Sequence, residues 1–321
     1  MTYSQRLHVM IYLFTLFLCG CDIQNSTSAS LPQTVKPTSY SQIQQVFDQF
    51  DYRWTTLDRG VPDITVHNFP ADLSTVPNVK QKKHLFFLSL LPMVLTQNEK
   101  VMQQRDQLQQ LLAQYDKEHT LSARDNDWIK RLMKEYRFSH DPLNNSTHRK
   151  QLVSRVDMIP TALVLAQAAN ESAYGTSRFA QLANNIFGEW TFTPGTGIVP
   201  KGRPVGETYE VKKFSSLNDS IQSYINNLNT HRAYSKLRAS REMMRSNQQP
   251  LQAFYLAEGL LNYSTRRDAY VTEIQTMISY NKLSQLAQLE RRKKSTFVAN
   301  AFVRTPSKKI SSNHRSIHDY L

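Results

Sequence analysis

Cysteine is nearly missing from this chain; Cys19 and Cys21 are its two. If both belong to an export segment, the body holds no thiol. Disulfide, redox and thiolate-metal sites are then excluded beyond residue 21. Phosphate loops are missing as well. Neither Gly-x-x-x-x-Gly-Lys-[Ser/Thr] nor Gly-x-Gly-x-x-Gly occurs, so nothing supports nucleotide binding. The nine histidines include no His-Glu-x-x-His and no carboxylate-paired spacing, so no metal site is expected, and no cofactor. Ser172 has Asn170, not glycine, two positions before it, which rules out a Gly-x-Ser-x-Gly nucleophile. Zinc-finger spacing, a basic helix with heptads and an RNA-stacking motif are absent too. Nucleic acid is therefore not the expected partner, although the formal charge is +13. Residues 290–321 hold eight Lys/Arg and two acids, +6 of that charge, which leaves a moderately basic body. The chain shows no internal repeat and no motif that fixes an oligomeric state.

Long apolar runs are also missing. Val9 through Leu18 is about ten residues, too short to span a bilayer but suited to the core of an export signal. It ends Leu18-Cys19-Gly20-Cys21, which resembles the bacterial lipobox, and this implies lipidation of Cys21. The expected result is a periplasmic, membrane-anchored lipoprotein. Asp22 after the Cys resembles the signal that retains such proteins in the inner membrane.

What is present is helical punctuation. Residues 1–20 read as the signal peptide and 21–39 as a polar, flexible tether. Residues 40–150 form an N-terminal helical extension. Within it, Ile43, Val46, Phe47, Phe50 and Trp54 recur at helical spacing, and 79–115 is strongly helical with a break expected near Pro92. Residues 151–289 form a second helical body, interrupted from Ile186 to Phe214 by a Gly-, Pro- and Thr-rich stretch that suggests a hairpin lobe beside a cleft. Residues 290–321 read as a basic, largely disordered tail.

The most informative segment runs from Pro160 to Ala180. Thr161 to Ala169 is apolar almost all round, as in a buried helix. Pro160 suits its first turn and Gly175 the position past its end. Glu171 then sits in the last turn. Burial and the negative end of the helix dipole both raise a carboxyl pKa there. A carboxyl that stays protonated near neutral pH can serve as the general acid of a glycosidase. From the residues alone, a helix-end Glu paired with Arg178 is the plainer reading.

Several blocks in order change that balance: RVDMIPTALVLAQAANESAYGTSRFA at 155–180, NNIFGEWTFTPGTGIVP at 184–200, SYINNLNTH at 223–231 and LAEGLLNYSTRRDAYV at 256–271. Together they resemble the glucosaminidase superfamily of peptidoglycan hydrolases, which includes glycoside hydrolase family seventy-three. The nearest pattern is its bacterial Bax-type branch, and the likeness extends from about Val76 to about Leu283. The resemblance implies a mainly α fold: a lysozyme-like glucosaminidase domain with a small β-hairpin lobe and an N-terminal helical extension. It implies hydrolysis of the β-1,4 bond after N-acetylglucosamine in peptidoglycan glycan strands. The family's catalytic acid maps onto Glu171 in Glu171-Ser172-x-x-Gly175-x-Ser177-x-x-Ala180. An acidic residue of the lobe is its candidate second carboxylate. Glu210 is preferred here, with a solvated strand Glu as the alternative, and Glu207 and Glu189 come next. Tyr263 matches the family's active-site hydroxyl, although Tyr263 and Tyr270 are seven apart where the family has six. Tyr174, Phe187, Trp190 and Tyr270 are the candidate substrate-binding aromatics. Many Bax-type members carry two cysteines around the Phe-x-Pro-Gly turn, and Thr191 and Thr196 stand there in this chain. Two other readings remain: a lytic transglycosylase or muramidase, and a non-catalytic glycan-binding lipoprotein.

Overall fold

The computed structural model describes residues 33–292. The export segment with Cys21, residues 22–32 of the expected tether and residues 293–321 of the expected tail lie outside them. No helix of the described part is long and apolar enough to cross a membrane.

The fold is mainly α. In chain order it contains α1 (Tyr40–Gln49), α2 (Val79–Glu118), α3 (Ala123–Glu135), α4 (Ser146–Arg155), α5 (Thr161–Ser172), α6 (Arg178–Ala183), α7 (Leu217–Thr230), α8 (Ser235–Ser246), α9 (Ala253–Leu256) and α10 (Asp268–Tyr280). Five short strands accompany them. β1 (Gln33–Val35) and β2 (Ile64–Val66) pair in parallel, with Gln33 opposite Ile64. The small lobe is made of β3 (Trp190–Thr191), β4 (Gly197–Ile198) and β5 (Glu210–Lys212), in the order β3-β5-β4 and antiparallel.

Two expected boundaries differ. Gln33–Val35 is a paired strand and not part of a loose tether, because its backbone finds partners on β2. The tail begins tied down. Arg291 pairs with Asp63 at 3.0 Å and Glu99 at 2.9 Å, and the Arg292 guanidinium donates to the carbonyls of Phe50 and Gly60.

Helix α2 runs for 40 residues straight through Pro92, where a break was expected. Proline has no N–H, so it leaves the carbonyl four residues earlier without its helical donor. That carbonyl belongs to Leu88, and the Tyr52 hydroxyl donates to it at 3.2 Å. Tyr52 is completely buried, so one side chain of the first segment repairs the long helix from outside.

Helix α5 is the centre of the core. Leu163, Val164 and Leu165 are fully buried, with α2, α9 and α10 around them. Burying three such side chains stabilises by about 5–9 kcal/mol before entropy is counted. Its entry loop is fixed by polar side chains. The Asn98 amide donates to the Ile159 carbonyl at 2.8 Å and accepts from the Ile159 N–H at 3.2 Å. Buried Arg241 donates to the carbonyls of Asp157 and Met158. Burial would raise the Asp157 carboxyl, but Arg241, Arg245 and Arg105 outweigh it and hold the pKa below the usual range. That stabilisation is complete above the ordinary aspartate pKa and is lost as pH falls through the depressed value.

Tyr52→Phe should cost about 1–3 kcal/mol, the penalty of a buried unsatisfied carbonyl. With Pro92→Ala the backbone N–H returns, and Tyr52→Phe should then cost measurably less. Denaturant melts of the four proteins read the coupling. Equal costs in both backgrounds would show that Tyr52 acts by packing alone.

Candidate active site

Glu171 occupies the last turn of α5, and the local chain explains how it is presented. The helix stops because Ala173 and Tyr174 take left-handed backbone angles, φ 49° and 54°, followed by Gly175 at φ 80°. Ser172 holds this turn: its hydroxyl donates to the Ala168 carbonyl and accepts the Gly175 N–H at 2.8 Å. Gly175 is required by space as well as by φ, because a Cβ there would lie 2.8 Å from the Phe69 ring. These contacts give the Glu-Ser-x-x-Gly spacing a physical reason.

The Glu171 carboxyl is partnered by Tyr270, not by Arg178. The Tyr270 hydroxyl donates to Oε1 at 2.7 Å and itself accepts from the Gln167 amide at 2.8 Å. The Tyr224 hydroxyl donates to the Gln167 carbonyl oxygen. Oε2 has no hydrogen-bond partner among the described residues. It faces Gly188, 3.9 Å from where a Cβ would stand. Burial raises the Glu171 pKa, and the Tyr270 hydrogen bond offsets part of that rise by favouring the anion.

Gly188, the residue that Oε2 faces, borders a cleft of about 540 Å³ lined also by Phe187, Glu189, Trp190, Phe192, Tyr234 and Tyr263, among others; Glu171 is not itself one of the lining residues and reaches it only at Gly188. Several expected residues meet there. Phe187 is buried and stacks on Tyr224 at 3.8 Å. Trp190 is half exposed, edge-on to Tyr209. The Tyr263 ring lies parallel to that of Tyr270 at 5.3 Å, and its hydroxyl donates to the Phe187 carbonyl at 2.8 Å.

Two expected binding residues are not brought to the cleft. Tyr270 is buried and gives its hydroxyl to the acid. Tyr174, in the left-handed turn that ends α5, packs on Phe86 and Phe87 and faces a separate hollow beside Lys83 and Tyr280.

The carboxylates of the lobe divide clearly. Glu207 is exposed. Glu210, the preferred candidate, is turned into its own sheet, where its carboxylate accepts from the N–H groups of Gly195 (3.0 Å) and Gly197 (2.8 Å). Those donors, Gly195 first, hold its pKa below the usual range. It closes the β3–β4 turn and is not among the residues lining the cleft. In the same turn Thr191 and Thr196 bond hydroxyl to hydroxyl at 2.8 Å. Glu189, placed with Glu207 behind Glu210 from sequence, lines the cleft. Burial raises its pKa, while the Ser223 hydroxyl at 2.8 Å and Lys212 at 3.7 Å oppose the rise. Its Oε1 is buried with no partner among the described residues.

Sequence reasoning missed the groups that position these carboxyls. Buried Asn185 donates to the carbonyls of Glu189 (2.8 Å) and Lys212 (2.9 Å) and accepts the Glu189 N–H (3.0 Å). Its place inside NNIFGEW was the available signal. Tyr234 had none. Burial, then Glu189 and Glu171, push its pKa up to about 12, so both carboxylates act on one phenol. No group of three His, Cys, Asp or Glu able to hold a metal occurs among the described residues.

The glucosaminidase family, described as mannosyl-glycoprotein endo-beta-N-acetylglucosaminidase, matches residues 146–283, the span that contains the acid, the cleft and the lobe. Protein bax of Escherichia coli (strain K12) is 31% identical over 214 residues, 66% of this chain and 74% of that protein. The chain belongs to the Bax-type glucosaminidases. No solved structure matches it. The glucosaminidase domain is thus a mainly α, lysozyme-like body with a small β lobe, in a family of glycoside hydrolases. Its matched span begins at α4, whereas α5 packs directly on α2, which lies ahead of that span.

Tyr270→Phe removes the donor that favours ionised Glu171, so the Glu171 pKa should rise further. The fold should weaken by about 1 kcal/mol as the Gln167 amide loses its acceptor. An NMR titration of side-chain carboxyl carbons reads the shift directly. An unchanged or lower value would mean that Tyr270 does not tune this acid.

Proposed function

We propose that the protein hydrolyses the β-1,4 bond after N-acetylglucosamine in peptidoglycan, with Glu171 as general acid. One observation carries this reading: a partly buried helix-end carboxyl, its pKa raised by desolvation, has one oxygen held by Tyr270 while the other faces Gly188 in the cleft wall. Protonated Oε2 donates to the leaving glycosidic oxygen, and the negative charge left behind is stabilised by the Tyr270 hydroxyl. Trp190 and Phe192 offer exposed ring faces against which sugar rings can pack. Tyr263, in the cleft wall with its hydroxyl on the Phe187 carbonyl, keeps the Gly188 segment over the acid.

We assign the second carboxylate to Glu189 in place of Glu210. A base that activates water must face the substrate and be able to take a proton. Glu189 lines the cleft with its pKa raised, whereas Glu210 is consumed by two backbone N–H groups. Lys212 and Ser223 oppose the burial of Glu189 and so help keep it ionised for that role.

Glu171→Gln should fold normally and lose about two to four orders of magnitude in wall digestion, the usual scale for acid catalysis. Wild-type-like digestion would refute the assignment. Glu189→Gln should show a loss of similar size, Glu207→Ala almost none, and Glu210→Ala a smaller loss from a loosened lobe. If Glu189→Gln stays near full activity, the substrate's own N-acetyl group becomes the better second partner. Mass spectrometry of the products separates hydrolysis from transglycosylation, since anhydro-muramic ends in place of new reducing glucosamine would make this a lytic transglycosylase.

We further propose that the chain is exported, lipidated on Cys21 and held at the periplasmic face of the inner membrane. The support is the short apolar run and the Leu-Cys-Gly-Cys ending. Labelled palmitate should enter the wild type and not Cys21→Ser, and the Ser variant should leave the membrane fraction. Membrane retention of that variant would point to an ordinary anchor.

A further inference from the structure

A second hollow of about 460 Å³ opens directly beside the cleft and shares Lys212, Ser223 and Asn226 with it. One wall comes from α2, at Gln97, Lys100 and Gln104, and the other from α7, at Asp219 and Gln222. Much of its polarity is already used to fix those walls. The Gln97 amide donates to Asn218 at 2.9 Å, the Gln104 amide to Glu135 at 3.0 Å, and the Asn226 amide to the Glu135 carbonyl at 3.1 Å.

Three side chains stand apart. The ammonium of Lys100, the carboxylate of Asp219 and the amide of Gln222 have no side-chain partner among the described residues. A cation, an anion and an amide are thus left open around one hollow. A stripped glycan strand offers hydroxyl, acetamide and lactyl carboxylate groups but no amine, so Asp219 would gain no charged partner from it. The peptide arm carried by wall glycan has free carboxylates, backbone amides and a free amine. It leaves the strand at the sugar, so a strand lying in the cleft presents its arm to the neighbouring surface.

We propose that this hollow binds the peptide arm of the substrate, so that peptide-bearing strands are preferred to stripped ones. The inference rests on the peptidoglycan reading above. Lys100 meets a carboxylate of the arm, Asp219 its amine and Gln222 its backbone. The walls are held in place by the amide bonds just described, so little ordering is needed when the arm enters.

The test uses two fragments of wall glycan, one with its peptide arm and one stripped by an amidase. Each is titrated calorimetrically into full-length Glu171→Gln protein, which binds without turnover. The arm should tighten binding about tenfold, the scale of one or two charge-assisted contacts at a half-open site. Lys100→Gln, added in that background, should shrink the difference and leave the affinity for the stripped fragment nearly unchanged; Lys100 is exposed, so folding is not at stake. Equal affinities for the two fragments, or a Lys100→Gln loss shared equally by both, would overturn the site. In that case wild-type digestion of stripped wall would still leave the glycosidase reading standing. If neither fragment binds and neither wall is digested, both readings fail together.

Discussion

The hydroxyl of Tyr270 lies between Gln167 and Glu171, and the chemistry of this protein depends on that position. A carboxyl at the end of a buried helix would be costly to ionise without a donor, and without burial it would be an ordinary surface acid. Both conditions are met because α10 packs on α5 and carries Tyr270 into contact with the last helical turn. Gln167 sits one turn earlier on α5 and is clamped from the other side by the Tyr224 hydroxyl. Three helices therefore agree on the placement of one oxygen atom.

Much of the remaining fold supports α5. Its entry is fixed by Asn98 of α2 and Arg241 of α8, and its exit by Ser172 and the close approach of Gly175 to Phe69. Helix α2 packs along it, and the Leu88 carbonyl that Pro92 strands in that helix accepts from the Tyr52 hydroxyl. The segment ahead of the matched glucosaminidase span is thus part of the same core and not an appendage. The Asp63–Arg291 and Glu99–Arg291 pairs tie the stretch after α10 to that segment.

The lobe shows how one residue type takes different roles according to its surroundings. Glu210 and Glu189 belong to adjacent paired strands or their edge, yet one closes a turn and the other lines the cleft. Asn185 makes the difference by bonding the backbone on both sides of Glu189 and tying it to β5. Thr191 and Thr196 hold the same turn with a hydroxyl–hydroxyl hydrogen bond.

The sequence by itself determined the helical class, the buried character of α5, the helix-end position of Glu171 and the presence of a lobe after it. These follow from local pattern: an apolar run without a polar face, Gly175 past its end, and a Gly- and Pro-rich stretch that cannot continue a helix. Tertiary structure decided what lies far apart in the chain. It alone chose Tyr270 over Arg178 as the partner of Glu171, set Glu189 in the cleft wall and turned Glu210 into its sheet, faced Tyr174 into a separate hollow, and carried α2 through Pro92. Each of these outcomes is a hydrogen bond or close contact between residues 13 to 99 positions apart, or the left-handed turn at Ala173–Tyr174, and neither has a periodicity to read. The sequence carries the donors and acceptors; only the packed helices and the folded lobe bring them within hydrogen-bonding distance of one another.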